Sequence, residues 1–394
     1  MTWRKTCVTE QRYELVRRYG EGESMTALCI EYGVARKTGH KWLERYDEGG
    51  RNGLSDRSRA PLCHPNRTST ETEELLLSLR RKRPTWGPKK LLAVLRRSHP
   101  RLALPAVSTA GDILERNGLI TARRTRARTE PYSRPFQDCS APNDVWCMDF
   151  KGHFNTKDQR VCHPLTITDA FSRMLLRCHV VGRCDEPHVR EVLESAFCEY
   201  GLPRAIRSDN GPPFASTAPA GLSKLAVWLM KLDIVPERIE PAKPQQNGRH
   251  ERMHRTLLEV CQPPARTSKA QQRAFDRFRA DFNHCRPHEA LGQRYPIELF
   301  TSSARRFPCP LEQPQYLGDC ELRRIRSDGC FKWTQKIYFL SEALAHEPVA
   351  FFALPGHTWL VRYRSLELGI FSPAQGFRKH PSAANFKRRC RARL

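Results

Sequence analysis

The sequence predicts an α/β core carried between an all-α region ahead of it and a small β region behind it. Three observations lead there. Up to about residue 118 the apolar residues recur at helical spacing, punctuated by Gly and Pro. From Asp144 the pattern turns to short runs rich in β-branched and aromatic residues, alternating with amphipathic segments. After about residue 310 only short strand-like runs remain, separated by turn pairs such as Asp328-Gly329 and Pro355-Gly356. A chain of 394 residues has room for two or three domains with a sizeable core. The predicted boundaries are 1–60, 69–120, a basic linker at 121–140, the α/β core at 141–300, a β domain at 310–375 and a basic tail at 376–394.

Charge narrows the function. The chain holds 67 Lys+Arg against 42 Asp+Glu, a formal +25. Residues 1–140 carry 28 basic and 16 acidic residues, residues 141–300 carry 23 and 19, and residues 301–394 carry 16 and 7. A nearly balanced centre between cationic flanks suits a compact core delivered to a polyanion, since Lys and Arg that displace condensed counterions gain free energy from their release. A membrane surface would call for a basic amphipathic helix or an apolar span. The run Val349–Leu354 is six residues long, against the ~20 a bilayer requires, and reads as a buried strand. The N-terminus has no apolar h-region, so a cytoplasmic protein is expected, working at the nucleoid. The 15 cysteines are odd in number and form no CxxC pair, which favours reduced structural thiols. The cluster His284-Cys285-Arg286-Pro287-His288 lacks the second half of a zinc site.

The first element is a helix over Glu10–Tyr19, capped by Thr9 and ended by Gly20. A short helix at Met25–Tyr32, a turn at Gly33-Val34 and a helix at Ala35–Tyr46 follow. In the last of these Trp42, Leu43 and Tyr46 have core spacing, while Arg36, Lys37, His40 and Lys41 are left for solvent. This is a helix-turn-helix pattern, and those four basic side chains are its candidate DNA contacts; a plain three-helix bundle with a solvated basic face gives the same string. A second helical unit is expected from Glu71–Lys82, Pro88–Ser98 and Ser108–Asn117, with Ser108 as cap and Gly118 as stop. The stretch Thr121–Pro135 has five Arg without apolar periodicity and reads as a linker able to lie along DNA.

In the core, Asp144–Phe154 reads as one strand holding Asp149. Two further strands, the helix Glu186–Tyr200 and the strand Arg204–Ser208 follow, the last running straight into Asp209-Asn210-Gly211. A helix at Leu222–Leu232 and a strand at Ile234–Ile239 precede Pro241 and Pro244. Helix then resumes from Arg249 and carries Glu251 near its start. Three carboxylates thus fall on a strand, a strand end and a helix. Such oxygen ligands suit Mg²⁺, and two ions ~3.5–4 Å apart can clamp the attacking and leaving oxygens of a phosphodiester. Asp144, Asp158 and Asp169 are the rival acids: a strand-start cap, a turn residue and a bend residue.

The order of Asp149, then Ser208-Asp209-Asn210-Gly211-Pro212-Pro213-Phe214, then Gln246-Asn247-Gly248-Arg249-His250-Glu251-Arg252, resembles the integrase-core (DDE-type) transposases of bacterial insertion sequences, relatives of retroviral integrases. The resemblance spans about residues 140–300 and extends to the helical region ahead. It implies a ribonuclease H-like core, with Asp149, Asp209 and Glu251 as catalytic ligands for two Mg²⁺ ions, Mn²⁺ substituting. It also implies double-stranded DNA as partner, both transposon terminal inverted repeats and target, with a homo-oligomer assembled on it. The 41 residues between Asp209 and Glu251 exceed the family's usual spacing, an excess assigned to the loop Ser216–Lys224. Asn247, His254 and Arg255 share a helix face with Glu251 and are assigned to DNA. A noncatalytic DNA-binding regulator and a ribonuclease H-type nuclease are the alternative functions. The C-terminal strands, at Tyr316–Leu322, Phe331–Leu340, Val349–Leu354 and Trp359–Leu368, resemble the SH3-like small barrel of integrases.

Overall fold

The computed structural model describes residues 7–57, 67–120, 139–216, 218–239, 248–308, 311 and 313–379. Two compact units are distinguished, Met1–Ser69 and Thr70–Leu394. Among the described residues no helix is long and apolar enough to cross a membrane.

The first unit is a three-helix bundle of α1 (Val8–Gly20), α2 (Met25–Glu31) and α3 (Arg36–Gly53). Leu15, Val16, Met25, Leu28, Trp42 and Leu54 form its core. Gly39 of α3 lies close against α2: a Cβ there would sit 2.6 Å from the Cys29 sulfur and 2.7 Å from that of Met25, so a larger residue would displace these side chains. The α1 cap is Cys7 rather than Thr9. Helix α3 runs beyond the expected Tyr46, with non-helical backbone at Gly50.

In the second unit α4 (Thr70–Lys82), α5 (Pro88–Ser98) and α6 (Val107–Arg116) close around Leu76, Trp86, Leu91, Leu95 and Ile113. Pro88 opens α5 as expected, whereas the α6 cap is Ala106, two residues before Ser108. Ion pairs from Arg83 to Asp281 and from Arg97 to Glu298 fasten this bundle to the later helical segments of the core.

The core sheet contains β1 (Val145–Phe150), β2 (Phe154–Asn155), β3 (Val161–Asp169), β4 (Leu175–Val181), β5 (Ala205–Ser208) and β6 (Val235–Arg238). Strands β4, β3 and β1 pair antiparallel, and β5 and β6 continue from β1 in parallel. The single strand expected over Asp144–Phe154 is two, parted at Gly152, whose φ is +62°. Alternation assigns the faces. Trp146, Met148, Leu165 and Ile167 pack on α7 (Glu186–Tyr200) and α8 (Lys224–Lys231) through Val189, Phe197, Trp228 and Leu229. On the other face Cys162, Leu175 and Cys178 meet α9 (Gly248–Cys261) and α10 (Ser268–His284) through Met253, Leu257, Phe275 and Phe278. Gly201 ends α7 at φ +79°, and a Cβ there would sit 2.7 Å from the Arg305 carbonyl oxygen. None of the cysteines among the described residues is disulfide-bonded.

The last region holds β7 (Glu321–Arg324), β8 (Cys330–Trp333), β9 (Lys336–Phe339), β10 (Pro348–Leu354), β11 (Thr358–Tyr363), β12 (Leu366–Ser372) and β13 (Gly376–Lys379). They form an open five-stranded sheet, β13-β12-β11-β10-β7, and a separate β8-β9 hairpin, so the expected barrel is not closed. Phe331–Leu340 and Trp359–Leu368, each expected as one strand, both reverse at residues of positive φ, Thr334 and Arg364. The start of the expected basic tail is strand β13; residues beyond 379 lie outside the described part. Helix α8 joins the two cores, with Leu225, Trp228 and Leu229 in one and Ala226, Val227 and Met230 in the other.

A buried pair joins β5 to β6. The Arg207 guanidinium donates to Glu237 Oε2 at 2.6 and 3.0 Å, with side chains 6% and 11% exposed. Glu237→Ala leaves that cation buried without this carboxylate, and urea unfolding should show a loss of ~3–5 kcal/mol. A loss below ~1 kcal/mol, the range of an exposed pair, would mean that water already reaches Arg207.

Candidate active site

Asp149 is carried by the central strand. Its antiparallel partner is Thr166 on β3, and alternation turns both toward α9. Strand β1 pairs with β5 at Val145↔Ala205, Trp146↔Ile206 and Cys147↔Arg207. Continued by two residues, that register leads from Asp149 to Asp209, just past the end of β5. Two contacts fix this end of the sheet. The Phe150 ring stacks on Phe214, centroids 5.6 Å apart, and the Asn210 side-chain amide donates to the Ile239 carbonyl at 2.9 Å. Burial pushes the Asp209 carboxyl above its ordinary value, a rise opposed by the Gly211 N–H at 3.2 Å. Glu251 lies in the first turn of α9 and is exposed.

Beneath Asp149 is a cluster that sequence reasoning missed. The Thr166 hydroxyl lies 2.6 Å from His250 Nε2, 2.8 Å from His254 Nε2 and 3.1 Å from the Asp149 carbonyl oxygen. His250 Nδ1 is 3.2 Å from the Thr168 hydroxyl, and His254 Nδ1 is 4.0 Å from Asp149 Oδ2. A hydroxyl has one proton to give, so at least one ring must donate its Nε2–H to Thr166. Burial holds both rings neutral. His250 is driven well below the usual imidazole range by burial, with His254 adding to it, and His254 falls to about 3 through burial and then the Lys151 charge. Helical spacing could have flagged His250 and His254 as an i, i+4 pair. Nothing in the string marked Thr166.

Asp149, His250 and His254 are the one set among the described residues whose potential ligand atoms all lie within 4.8 Å of one another. Asp209 and Glu251 stand outside that set. Both His250 nitrogens and His254 Nε2 already face threonine hydroxyls, so the cluster serves better as a support for Asp149 than as a nitrogen-rich metal centre. His254 therefore does not present itself to DNA as expected: it is 5% exposed and turned inward. Arg255 on the same helix is exposed, as are Arg36, Lys37, His40 and Lys41 on α3. Asn247 and nearly all of the basic linker lie outside the described residues. The rival acids have other partners. Asp144 accepts from Ser140 and Ala141, Asp158 from Thr156, and Asp169 from the Asn143 and Ser172 amides and the Ser172 hydroxyl.

Two family models described as integrase core domain match residues 140–244 and 232–296, spanning the sheet, α9 and α10. The chain carries an integrase core. A helix-turn-helix domain model matches residues 11–61 and a homeodomain-like model residues 38–114, so the core follows DNA-binding helical modules. The chain is 32% identical over 189 residues to an uncharacterized 39.2 kDa protein of insertion element IS476 from Xanthomonas euvesicatoria, covering 47% of this chain and 52% of that protein. It is 29% identical over 259 residues to an uncharacterized 31.7 kDa protein of insertion element IS407 from Burkholderia multivorans, covering 61% and 86% respectively. The chain thus spans about half the length of the first relative and most of the second. Among solved structures, a chain of the simian T-cell lymphotropic virus intasome in complex with PP2A regulatory subunit B56 gamma matches 76% of this chain and 99% of its own, with 18% identity and a TM-score of 0.36. The HTLV-2 integrase catalytic core domain in complex with magnesium matches 41% and 98%, with 16% identity and a TM-score of 0.31. The resemblance to insertion-sequence proteins with an integrase core, read from the motifs, is borne out.

The neutral histidines should make this core acid-sensitive. The unfolded chain takes up their protons near ~6.5, whereas the folded chain resists until the lowered values are reached. Their contribution to stability is complete above ~6.5 and is lost as pH falls from there toward about 3, the folded value of His254. Urea unfolding at pH 7.5 and pH 5 should show lower stability at pH 5, with a smaller difference in His254→Gln. An equal difference in that variant would assign the acid sensitivity to other groups.

Proposed function

We propose that the chain is a DDE-type transposase that binds the terminal inverted repeats of an insertion sequence and catalyses metal-dependent strand cleavage and strand transfer. The observation that carries this reading is the continuation of the β1–β5 register from Asp149 to Asp209 within an integrase core, with Glu251 on the helix that covers the same sheet face. In this reading Asp149, Asp209 and Glu251 hold divalent cations, two Mg²⁺ with Mn²⁺ able to substitute. The donor chemistry fits: all three offer oxygen, and Asp209 is a half-buried carboxylate whose burial disfavours charge unless a cation approaches. Divalent cations held by Asp149, Asp209 and Glu251 would supply Lewis-acid stabilisation of the charge that develops on a phosphodiester.

The remaining roles follow from the chain's own residues. The His254 ring, anchored on Thr166, stands beside Asp149 and limits where its carboxylate can point. Exposed Arg255 faces DNA near Glu251, and Asn247 is assigned to the same strand. On α3, Arg36, Lys37, His40 and Lys41 supply base-edge and phosphate contacts. Transfer of two element ends requires that both be held together, which supports a homo-oligomer on DNA.

The test uses labelled duplex bearing the element's terminal repeat, with Mg²⁺ or Mn²⁺. Nicked ends and joined products are expected, and Asp209→Asn and Glu251→Gln should each bring both to background with DNA affinity kept within about threefold. Binding without cleavage under either metal would favour the noncatalytic regulator, and cleavage without joining the nuclease. Activity surviving either substitution would show that the ligand set is wrong.

DNA affinity should fall steeply with salt, because phosphate contacts release counterions. Lys37→Ala should lower the slope of log K against log salt by about 1 if Lys37 touches a phosphate. An unchanged slope would remove Lys37 from the interface.

A further inference from the structure

A cavity of about 360 Å³ opens beside the Thr166 cluster, between α5, α9 and the segment following α10. Four cations line it: Lys90, Arg173, Arg252 and Arg286. Its two carboxylates are already engaged. Asp169 accepts three hydrogen bonds, from the Asn143 and Ser172 amides and the Ser172 hydroxyl, and Glu289 takes the Lys89 ammonium. Lys90 and Arg173 have no side-chain hydrogen bond or ion pair among the described residues, and Arg286 reaches the Thr256 hydroxyl at 3.3 Å. In the same wall His288 Nε2 is buried without a hydrogen-bond partner. The cavity is therefore lined by cationic side chains without a direct carboxylate partner, on which Glu289, Glu259, Asp169 and Asp281 act only at longer range.

The titration of these groups agrees. Burial brings the Lys90 ammonium down to about 8, with the Arg286 charge adding to it. Burial lowers Arg173 and Arg286 as well, and it takes His288 to about 3, helped by Lys90 and Arg286. Each base is displaced in the direction that a bound anion would reverse.

We propose that this cavity receives one unpaired nucleotide of a bound DNA strand, its phosphate held by Lys90, Arg173 and Arg286 and its base set against Met253 and Phe282. The inference rests on the reading of the chain as a DNA-processing protein. Size argues for a nucleotide: the volume falls in the range of small-ligand pockets, ~300–1,000 Å³, too small for duplex and larger than a free phosphate needs. Chemistry agrees, since a cationic wall beside apolar side chains matches a phosphate joined to a base. Location agrees too. His250 lines the cavity and shares the Thr166 hydroxyl with His254, the neighbour of Asp149, so the cavity and the Asp149 carboxylate border one side-chain cluster.

The test is equilibrium binding of thymidine 5′-monophosphate, inorganic phosphate and thymidine to the full chain, without divalent metal. Saturable one-to-one binding of the monophosphate is expected, at least about tenfold tighter than either fragment. Lys90→Gln and Arg173→Gln should each weaken it about tenfold, while Arg96→Gln, at an exposed cation on α5, leaves it unchanged. Equal affinity in all three variants, or phosphate alone binding as tightly as the monophosphate, would overturn the assignment. A second measurement needs no variant: amine acylation at pH 8 should be slowed by the monophosphate at Lys90 and not at exposed Lys89, and equal rates at both would overturn it too. Because free nucleotide binding requires neither metal nor cleavage, the two readings fail separately. Monophosphate protection of Lys90 with no DNA cleavage removes the transposase reading alone, and cleavage with no protection removes the cavity assignment alone.

Discussion

Parallel pairing of Val145, Trp146 and Cys147 with Ala205, Ile206 and Arg207 cannot be made by a hairpin, so the chain must cross over between β1 and β5. It does so through β3, β4 and α7, and that detour builds much of the domain. Strands β3 and β4 extend the sheet on one side of β1, and α7 returns across the face that Trp146 and Met148 present. A second parallel step through α8 adds β6, and the Arg207–Glu237 pair links the new strand to β5 from inside. The carboxylates inherit their positions from this arrangement. Asp149 is two residues past Cys147, and Asp209 two past Arg207.

The opposite face carries the polar part of the design. Leu165 and Ile167 point into the α7 and α8 core, so alternation sends Thr166 and Thr168 toward α9, where an apolar residue would pack more simply. Instead two imidazoles are buried there. Their desolvation is met by hydroxyl partners rather than by charge, which keeps both rings neutral and costs the fold stability in acid. The return on that cost is position. A hydroxyl that touches both rings and the Asp149 carbonyl ties α9, and Glu251 with it, to the strand bearing Asp149.

Much of the fold was legible because backbone punctuation and apolar spacing agree along the chain. Helix α7 matches its sequence expectation from Glu186 to Tyr200, with Asp185 capping it and Gly201 ending it. The turn at Asp209-Asn210-Gly211 follows β5 directly, as that string demands. Elsewhere the deciding contact was distant in sequence. His254 lies at helical spacing from Glu251, which suggested a common outward face, yet Thr166, 88 residues away, turns it inward. Thr334 and Arg364 reverse strands without glycine, so each hairpin reads as a single run; their positive φ is imposed by the paired strands on either side. Helix α10, absent from the sequence expectations, did leave a mark: Phe275, Phe278 and Phe282 recur at i, i+3 and i+7, the spacing of one helix face, and that face packs on Leu175 and Cys178 of β4. The three-carboxylate arrangement was suggested by order along the chain, while the neutral cluster supporting Asp149 left no comparable mark.

Net charge by segment also hides where the field is strong. Residues 141–300 hold 23 basic against 19 acidic residues, which reads as near balance. Balance in number is not balance in space. Asp144 and Asp169 are spent on backbone amides and serine hydroxyls, so their charge is screened by fixed dipoles, and Glu298 and Asp281 pair with Arg97 and Arg83 from the preceding bundle. None of these carboxylates pairs directly with Arg173, Arg252 or Arg286, which gather with Lys90 around one cavity, although Asp169 and Asp281 act on Arg173 and Arg286 at longer range. At short range in a medium less polar than water, such a group exerts more force on a passing anion than the flanking surplus does through solvent, where screening removes most of it beyond ~10 Å. On the proposed function, the flanks gather DNA while the core decides where a strand comes to rest.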